Sequence, residues 1–173
     1  DALLYCDSAY FYEQQNTIDA YGRVRMLQSD SVMAYGETLY YNGNTRIARL
    51  RGKVRLIHKS YTMTQMAADS VVYDRTRGVA YFERGGVIRA QLNTLRSVRG
   101  EYVPARHQSV FYDNIHLRHP NFVLEADTLY YNTSSHIAEQ QGPTNIDYRD
   151  STHIYSTDGW YNTQTEQSML LRR

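Results

Sequence analysis

Two anchors alternate along this chain, and together they restrict its fold more than any other feature. The first is an acidic residue followed by an apolar and Tyr cluster. It reads "CDSAYFY" at Asp7, "GETLYYN" at Glu37, "ADSVVYD" at Asp69, "GEYVPAR" at Glu101 and "ADTLYYN" at Asp127, with a worn copy, "STDGWYN", at Asp158. The second is a Gly or turn residue before a short alternating run. It reads "YGRVRML" at Gly22, "RGKVRLI" at Gly52, "RGGVIRA" at Gly85, "YDNIHLR" at Asn114 and "QGPTNIDY" at Gly142. Copies recur roughly every 26 to 33 residues, within the range of repeat architectures, and about five and a half units fit the chain.

Both anchors carry a period of two, the signature of a strand. In "GKVRLI", Val54 and Leu56 share one face and Arg55 takes the other. Turn signals separate the segments: "NGN" from Asn42, "DRTRG" from Asp74 and "NTSS" from Asn132. One unit is therefore one antiparallel hairpin. The recurrent Gly falls inside a strand, where it marks a bend or bulge. The acidic residue lies at the equivalent point of the partner strand. A lone hairpin cannot bury its apolar face. Copies creased at the same place can, by folding into two facing half-sheets. The expected fold is all-β: a repetitive antiparallel jellyroll of bent strands, open at both ends, with residues 1–173 as one domain of about five to six hairpins.

Composition agrees with a sheet. Tyr occurs 17 times and Pro only 3 times, and Tyr, Val, Ile and Thr suit a half-buried pleated surface. A net charge of +1 exerts no strong pull toward nucleic acid. No run approaches the ~18 apolar residues of a membrane-spanning helix. The opening "DALLYCDSAY" lacks the charged start and apolar core of a secretion signal. Cys6 is the single cysteine, which excludes an internal disulfide. Tyr5 before it is wrong for a lipidated cysteine, so Cys6 reads as a small buried residue or a neutral edge residue. The basic residues are lopsided, Arg far outnumbering Lys53 and Lys59.

Catalytic patterns are weak. His116 and His119 in "HLRH" are three apart, which on a strand sends them to opposite faces and away from a shared metal. "ERGGV" at Glu83 to Val87 has no phosphate-loop pattern. Asp7, Asp69 and Asp127 recur once per unit, so they read as structural acceptors at the bend. The expectation is a non-enzyme without metal or cofactor.

The stretches "ADSVVYDRTRGVAYFERGGVI", "GETLYYNGNTRIARLRGKVRL" and "ADTLYYNTSSHIAEQQGPTNI" resemble the OstA-like family, the organic-solvent-tolerance and lipopolysaccharide-transport jellyrolls. The resemblance covers essentially the whole chain as tandem copies. It implies a periplasmic protein of a Gram-negative cell that shields the lipid A acyl chains of lipopolysaccharide between its sheets. It also implies partners: other jellyroll transport components joined by edge-strand pairing, or a head-to-tail homo-oligomer, forming part of a bridge to the outer membrane. In the family the Gly-x-Val face looks inward. Carried onto this sequence, that face gives Val24, Met26, Val54, Leu56, Val87, Ile115, Leu117 and Ile146. Two and four residues beyond the acidic anchor lie Leu39, Tyr41, Val71, Tyr73, Leu129 and Tyr131. The chain departs from the family in its wealth of Tyr and Arg. It departs also around Glu101 to Pro104, where the motif is lost and an opening, a kink or an insertion is expected.

Other readings compete. A structural β-repeat or surface adhesin module would have the same inward face as a closed core without lipid. A carbohydrate-binding sandwich would expose Tyr and Trp160 on one face, but the Tyr residues instead recur at one repeat position. The outward Arg23, Arg25, Arg49, Arg51 and Arg55 suit phosphates, yet cross-strand pairing with acids is the expected arrangement. The ends, "ALLYCDSAYFY" and "GWYNTQTEQSMLL", both have strand character and are expected to recruit strands from partners.

Overall fold

The computed structural model describes residues 3–27, 31–59 and 63–172; Ala2 of the expected first strand lies outside them. All strand pairing is antiparallel, in one 15-stranded sheet. Its elements are β1 (Leu3–Tyr5), β2 (Ser8–Tyr12), β3 (Thr17–Leu27), β4 (Val32–Asn42), β5 (Ile47–Lys59), β6 (Met63–Asp74), β7 (Val79–Phe82) and β8 (Gly86–Ala90). They continue as β9 (Asn93–Ser97), β10 (Arg99–Val103), β11 (Gln108–His119), β12 (Phe122–Asn132), β13 (Ile137–Tyr148), β14 (His153–Asn162) and β15 (Ser168–Leu171).

The long strands run through a crease, and on the two sides of it the sheet has different members. On the turn side, β6 is followed by β7, β10 and β11; on the far side it is followed by β8, β9 and β11. β1 and β2 likewise divide the first edge, pairing with the far and turn-side halves of β3. This is the expected jellyroll of two half-sheets.

A repeated bulge makes the crease. Gly22–Arg23 interrupts β3 opposite Glu37, and Gly52–Lys53 interrupts β5 opposite Asp69. Asp113–Asn114 in β11 and Gly142–Pro143 in β13 both oppose Asp127. The bulged residues turn left-handed, with φ of 79° and 45° at Gly22 and Arg23 and 82° and 47° at Gly52 and Lys53. Asp113 and Asn114 adopt φ of 67° and 51°, a region those two residue types tolerate. The acid recurs with the Gly because its side chain lies over the glycine α-carbon. A Cβ at Gly22 would sit 2.5 Å from Asp7 Oδ2, and one at Gly52 would sit 2.7 Å from Glu37 Cβ.

The crease also sets the phase of the pattern. On β5 the buried set is Ala48, Leu50, Val54 and Leu56, in phase on both sides. On β4 it is Val32 and Ala34, then Leu39, one residue out of phase beyond Glu37.

The turns stack as well. Asn42, Asp74, Asn132 and Asn162 each accept at Oδ1 from two N–H groups of the following turn. The fourth residue on is left-handed: Arg46, Gly78, His136 and Glu166. Its carbonyl then accepts from the next turn, as Arg46 does from Arg75 N–H at 3.0 Å and His136 from Thr163 N–H at 2.8 Å. Pro104 occupies the donor position of the β10–β11 turn and has no N–H to give. It opens a 3₁₀ turn, Pro104–Arg106, and the preceding Tyr102 is buried. The lost motif at Glu101 is thus a different turn on a regular strand. The true interruptions lie at residues 83–85 and at Val98, which split β7 from β8 and β9 from β10.

Candidate functional site

The inward faces of both half-sheets form one apolar wall. Beyond the crease a single row crosses every strand: Leu4, Met26, Ala34, Leu56, Met66, Ile88, Leu95, Leu117, Leu124, Ile146 and Ile154. Its members are buried except the two ends, which are half-buried. Val24, Val54 and Ile115 lie between this row and the crease. On the turn side Leu39, Leu50 and Val71 form a second row, as do Phe111, Leu129 and Gln140.

The row nearest the turns alternates large with small. It reads Tyr41, Ala48, Tyr73, Ala80, Tyr102, Ser109, Tyr131, Ala138 and Tyr161. Each Ala or Ser leaves room for the rings on either side, which is how a close-packed interior is filled. Burial raises the phenol pKa of Tyr73, Tyr102 and Tyr131, and that of Tyr161 to about 12. These phenols stay neutral.

Of the fourteen residues expected on this wall, thirteen face it; Tyr41 is the least covered, half-buried with Arg75 donating to its hydroxyl at 3.0 Å. Val87 does not face it. Its cross-strand neighbours are Ala67 and Arg96, on the outward face, while Ile88 and Ala90 are buried. The reason is the second glycine of "RGGV". No left-handed pair forms there; the strand breaks after Phe82 and restarts at Gly86 in the opposite phase. The ring of Phe82 fills the crease, lying where a Cβ of Gly86 or Gly100 would be. The spacing also missed Phe82, Met66, Leu124 and Tyr102, whose only signal is alternation from a neighbouring assigned residue.

The free margins of the half-sheets meet along a seam. His58, at the far end of β5, places Nδ1 2.5 Å from the Tyr102 hydroxyl and stacks on His107 with ring centroids 5.5 Å apart. Farther along, Phe122 packs edge-on against Tyr161 at 4.7 Å. There Asn121 Nδ2 donates to Glu166 Oε1 at 2.6 Å. Burial, with the adjacent His107, holds the His58 pKa below its ordinary value. Burial also lowers that of His119, which stacks on Phe122. His116 points the other way, 3.4 Å from Glu125.

At the first edge the wall runs out to solvent. Phe11 continues the Tyr41 row through Ile18 and is 61% exposed. At the other edge Met169 and Leu171 of β15 are exposed.

The outward arginines do not have the expected acidic partners. Among the described residues Arg23 alone of the five does, donating to Asp7 at 2.7 Å and holding that carboxyl below its usual range. Arg25 lies 4.5 Å from the Tyr5 ring centroid and Arg55 5.3 Å from that of Tyr35. Arg49 opposes Tyr40 and Val72, and Arg51 opposes Thr38 and Ser70. A planar guanidinium stacks on a ring better than an ammonium does. The joint excess of Arg and Tyr therefore has a structural basis on this face. The crease groove beside it, about 520 Å³, is lined by Arg23, Arg25, Lys53 and Arg55 together with Asp7 and Glu37.

A family model described as OstA-like protein matches residues 1–127, well over half of the chain. No curated protein matches it. Among solved structures, the chain is similar to that of LptH from Pseudomonas aeruginosa, described as the LptA homologous periplasmic component of the conserved lipopolysaccharide transport device. The identity is 11%, the TM-score 0.38, and the match covers 100% of this chain and 95% of that chain.

Proposed function

The chain belongs to the OstA-like family, and from that membership we propose that it is a periplasmic lipopolysaccharide-binding protein that shields acyl chains between its half-sheets. The observation that carries the reading is the unbroken apolar row from Leu4 to Ile154. An acyl chain needs a continuous wall and no catalytic group. Each buried CH₂ contributes about 0.8 kcal/mol, so a chain of about a dozen carbons gains roughly 10 kcal/mol before ordering costs. The protein acts as a carrier, not an enzyme. Its edges, with Phe11 exposed at one and Met169 at the other, suit strand pairing with further jellyroll components or with a second copy. Such pairing would make it one span of a bridge to the outer membrane.

A second reading has an observation of its own. The interior is packed, with Leu50, Val54 and Leu129 wholly buried, as in a structural β-repeat with a closed core. For lipid to enter, the seam must part, and its joints are a few hydrogen bonds and ring contacts. Site-specific photocrosslinking to lipopolysaccharide separates the readings. Val54 faces the wall and Arg55 faces outward. Adducts from a probe at Val54 and none at Arg55 support transport. Adducts at neither, in folded protein, support the closed core; equal adducts at both mean surface adhesion and count against an interior site.

A further inference from the structure

Gln140 breaks the chemistry of the interior. It lies in a row that otherwise reads Phe111, Leu129, then Gly159 and Leu170. Its relative exposure is 1%, and among the described residues neither Oε1 nor Nε2 has a hydrogen-bond partner. The other buried polar side chains nearby are satisfied. Thr144 Oγ1 donates to the Gly142 carbonyl, and Ser156 Oγ to that of Asp158. A primary amide has two donors and an acceptor oxygen, and burying it empty costs their full desolvation. Leu or Met would fill the same volume without that cost.

A second buried amide with an unpartnered atom belongs to the opposing half-sheet. Asn93 opens β9 at the seam, is 5% exposed, and leaves its Oδ1 unpartnered. The Asn93 side chain lies near enough to the Tyr131 hydroxyl to lower its pKa against the upward push of burial. Tyr131 pairs with Ala138, two residues before Gln140, and is therefore the diagonal neighbour of Gln140 across β12 and β13. Gln140, with both amide atoms unpartnered, and Asn93, with its Oδ1 unpartnered, thus sit beside the same tyrosine from the two half-sheets.

We propose that Gln140, with Asn93, forms a polar reading point for an amide or hydroxyl carried on the acyl chain of a bound amphiphile. Gln140 Nε2 donates to a ligand oxygen, while Gln140 Oε1 and Asn93 Oδ1 accept from a ligand N–H or O–H. A secondary amide at the head of an alkyl chain meets both demands; a bare ether meets only the first. The assignment rests on the reading of the interior as a lipid site.

The test compares two nonionic amphiphiles of equal chain length, an N-dodecanoyl glucamide and its dodecyl ether analogue, by titration calorimetry. Wild type is expected to favour the amide by roughly tenfold, one hydrogen bond's worth of discrimination. Gln140→Leu should abolish the preference, keep binding of the ether, and raise the urea midpoint. Gln140→Met supplies the same comparison if the leucine variant does not fold. A preference that survives either substitution, or no preference in wild type, overturns the assignment while leaving the lipid reading intact. Binding of neither amphiphile by wild type overturns both.

Discussion

Replacing Gly52 by Ala tests the crease in a way that separates its two physical requirements. Gly52 has φ +82°, and a Cβ there would meet Glu37, whose own Cβ would lie 2.7 Å away. Gly78 has φ +64° and nothing within 4 Å, so it reports the backbone requirement alone. An L-residue in the left-handed region costs about 1–2 kcal/mol. Forcing an atom into filled space adds about 1–3 kcal/mol. Gly78→Ala should therefore cost about 1 kcal/mol, since Arg46 and His136 take the same turn position. Gly52→Ala should cost roughly 2–5 kcal/mol.

The partner change decides the cause. Glu37→Ala removes the carboxylate but keeps the obstructing Cβ, so it should rescue Gly52→Ala little. Glu37→Gly removes both, and the double-mutant cycle should show coupling of about 1–3 kcal/mol. Urea midpoints at constant slope supply the numbers. Equal losses at Gly52 and Gly78, or equal rescue by Glu37→Ala and Glu37→Gly, would refute the claim that the acid recurs because it packs over the glycine.

Three further outcomes are expected. Ile88→Asp should lower stability by more than about 3 kcal/mol through an unpaired buried charge, while Val87→Asp, facing Arg96 across the strands, should cost under about 1 kcal/mol; urea unfolding of the pair checks which residue faces the wall. Burial lowers the His58 pKa from its ordinary 6.5, so its acid penalty is absent above that value, grows as pH falls below it, and is complete below the folded value. His58→Gln should flatten the stability–pH slope just below 6.5, though not remove it, because His119 is lowered in the same sense; denaturant midpoints measured from neutral to mildly acidic pH check this. Asn121→Cys with Glu166→Cys, in a Cys6→Ser background and bridged by a short cleavable bismaleimide, should block uptake of acyl amphiphile until the linker is cut; unchanged uptake in the bridged protein would mean that lipid does not pass this part of the seam.

What the sequence discloses follows the range of the forces involved. The crease shows because the first left-handed residue of the bulge, which the partner strand's acid packs over, is Gly at Gly22 and Gly52, while the Asp113–Asn114 pair of β11 uses residue types that tolerate that backbone. The wall shows because alternation is local. It fails at Val87 because two adjacent apolar residues, Val87 and Ile88, fit either phase, and only pairing with Met66 and Leu95 chooses Ile88. The partners of Arg25 and Arg55 differ from the expectation because opposite charge is the default across strands; here the neighbours are Tyr5 and Tyr35, and ring contacts take the place of ion pairs. The seam left no mark. His58 and Tyr102 are 44 residues apart, and nothing periodic states which margin meets which when a creased sheet closes.

The same limit separates a scaffold from a site. Repetition alone makes every unit equivalent, so an occupant of a perfectly regular interior would have no preferred position along it. The first four long strands approach that condition, with Ala20, Leu39, Leu50 and Val71 across one row. Past the end of the family match at residue 127 the crease geometry persists at Gly142–Pro143, and the positions that hold Leu50 and Val54 on either side of the β5 bulge are taken by buried Gln140 and Thr144, with Ser156 buried beside them. The backbone around the crease accounts for the two hydroxyls. It does not account for Gln140, whose amide has no hydrogen-bond partner among the described residues. A packing scaffold would lose such a residue to Leu at no structural cost. A binding interior gains from it a fixed point along an otherwise uniform wall, and with that point a direction.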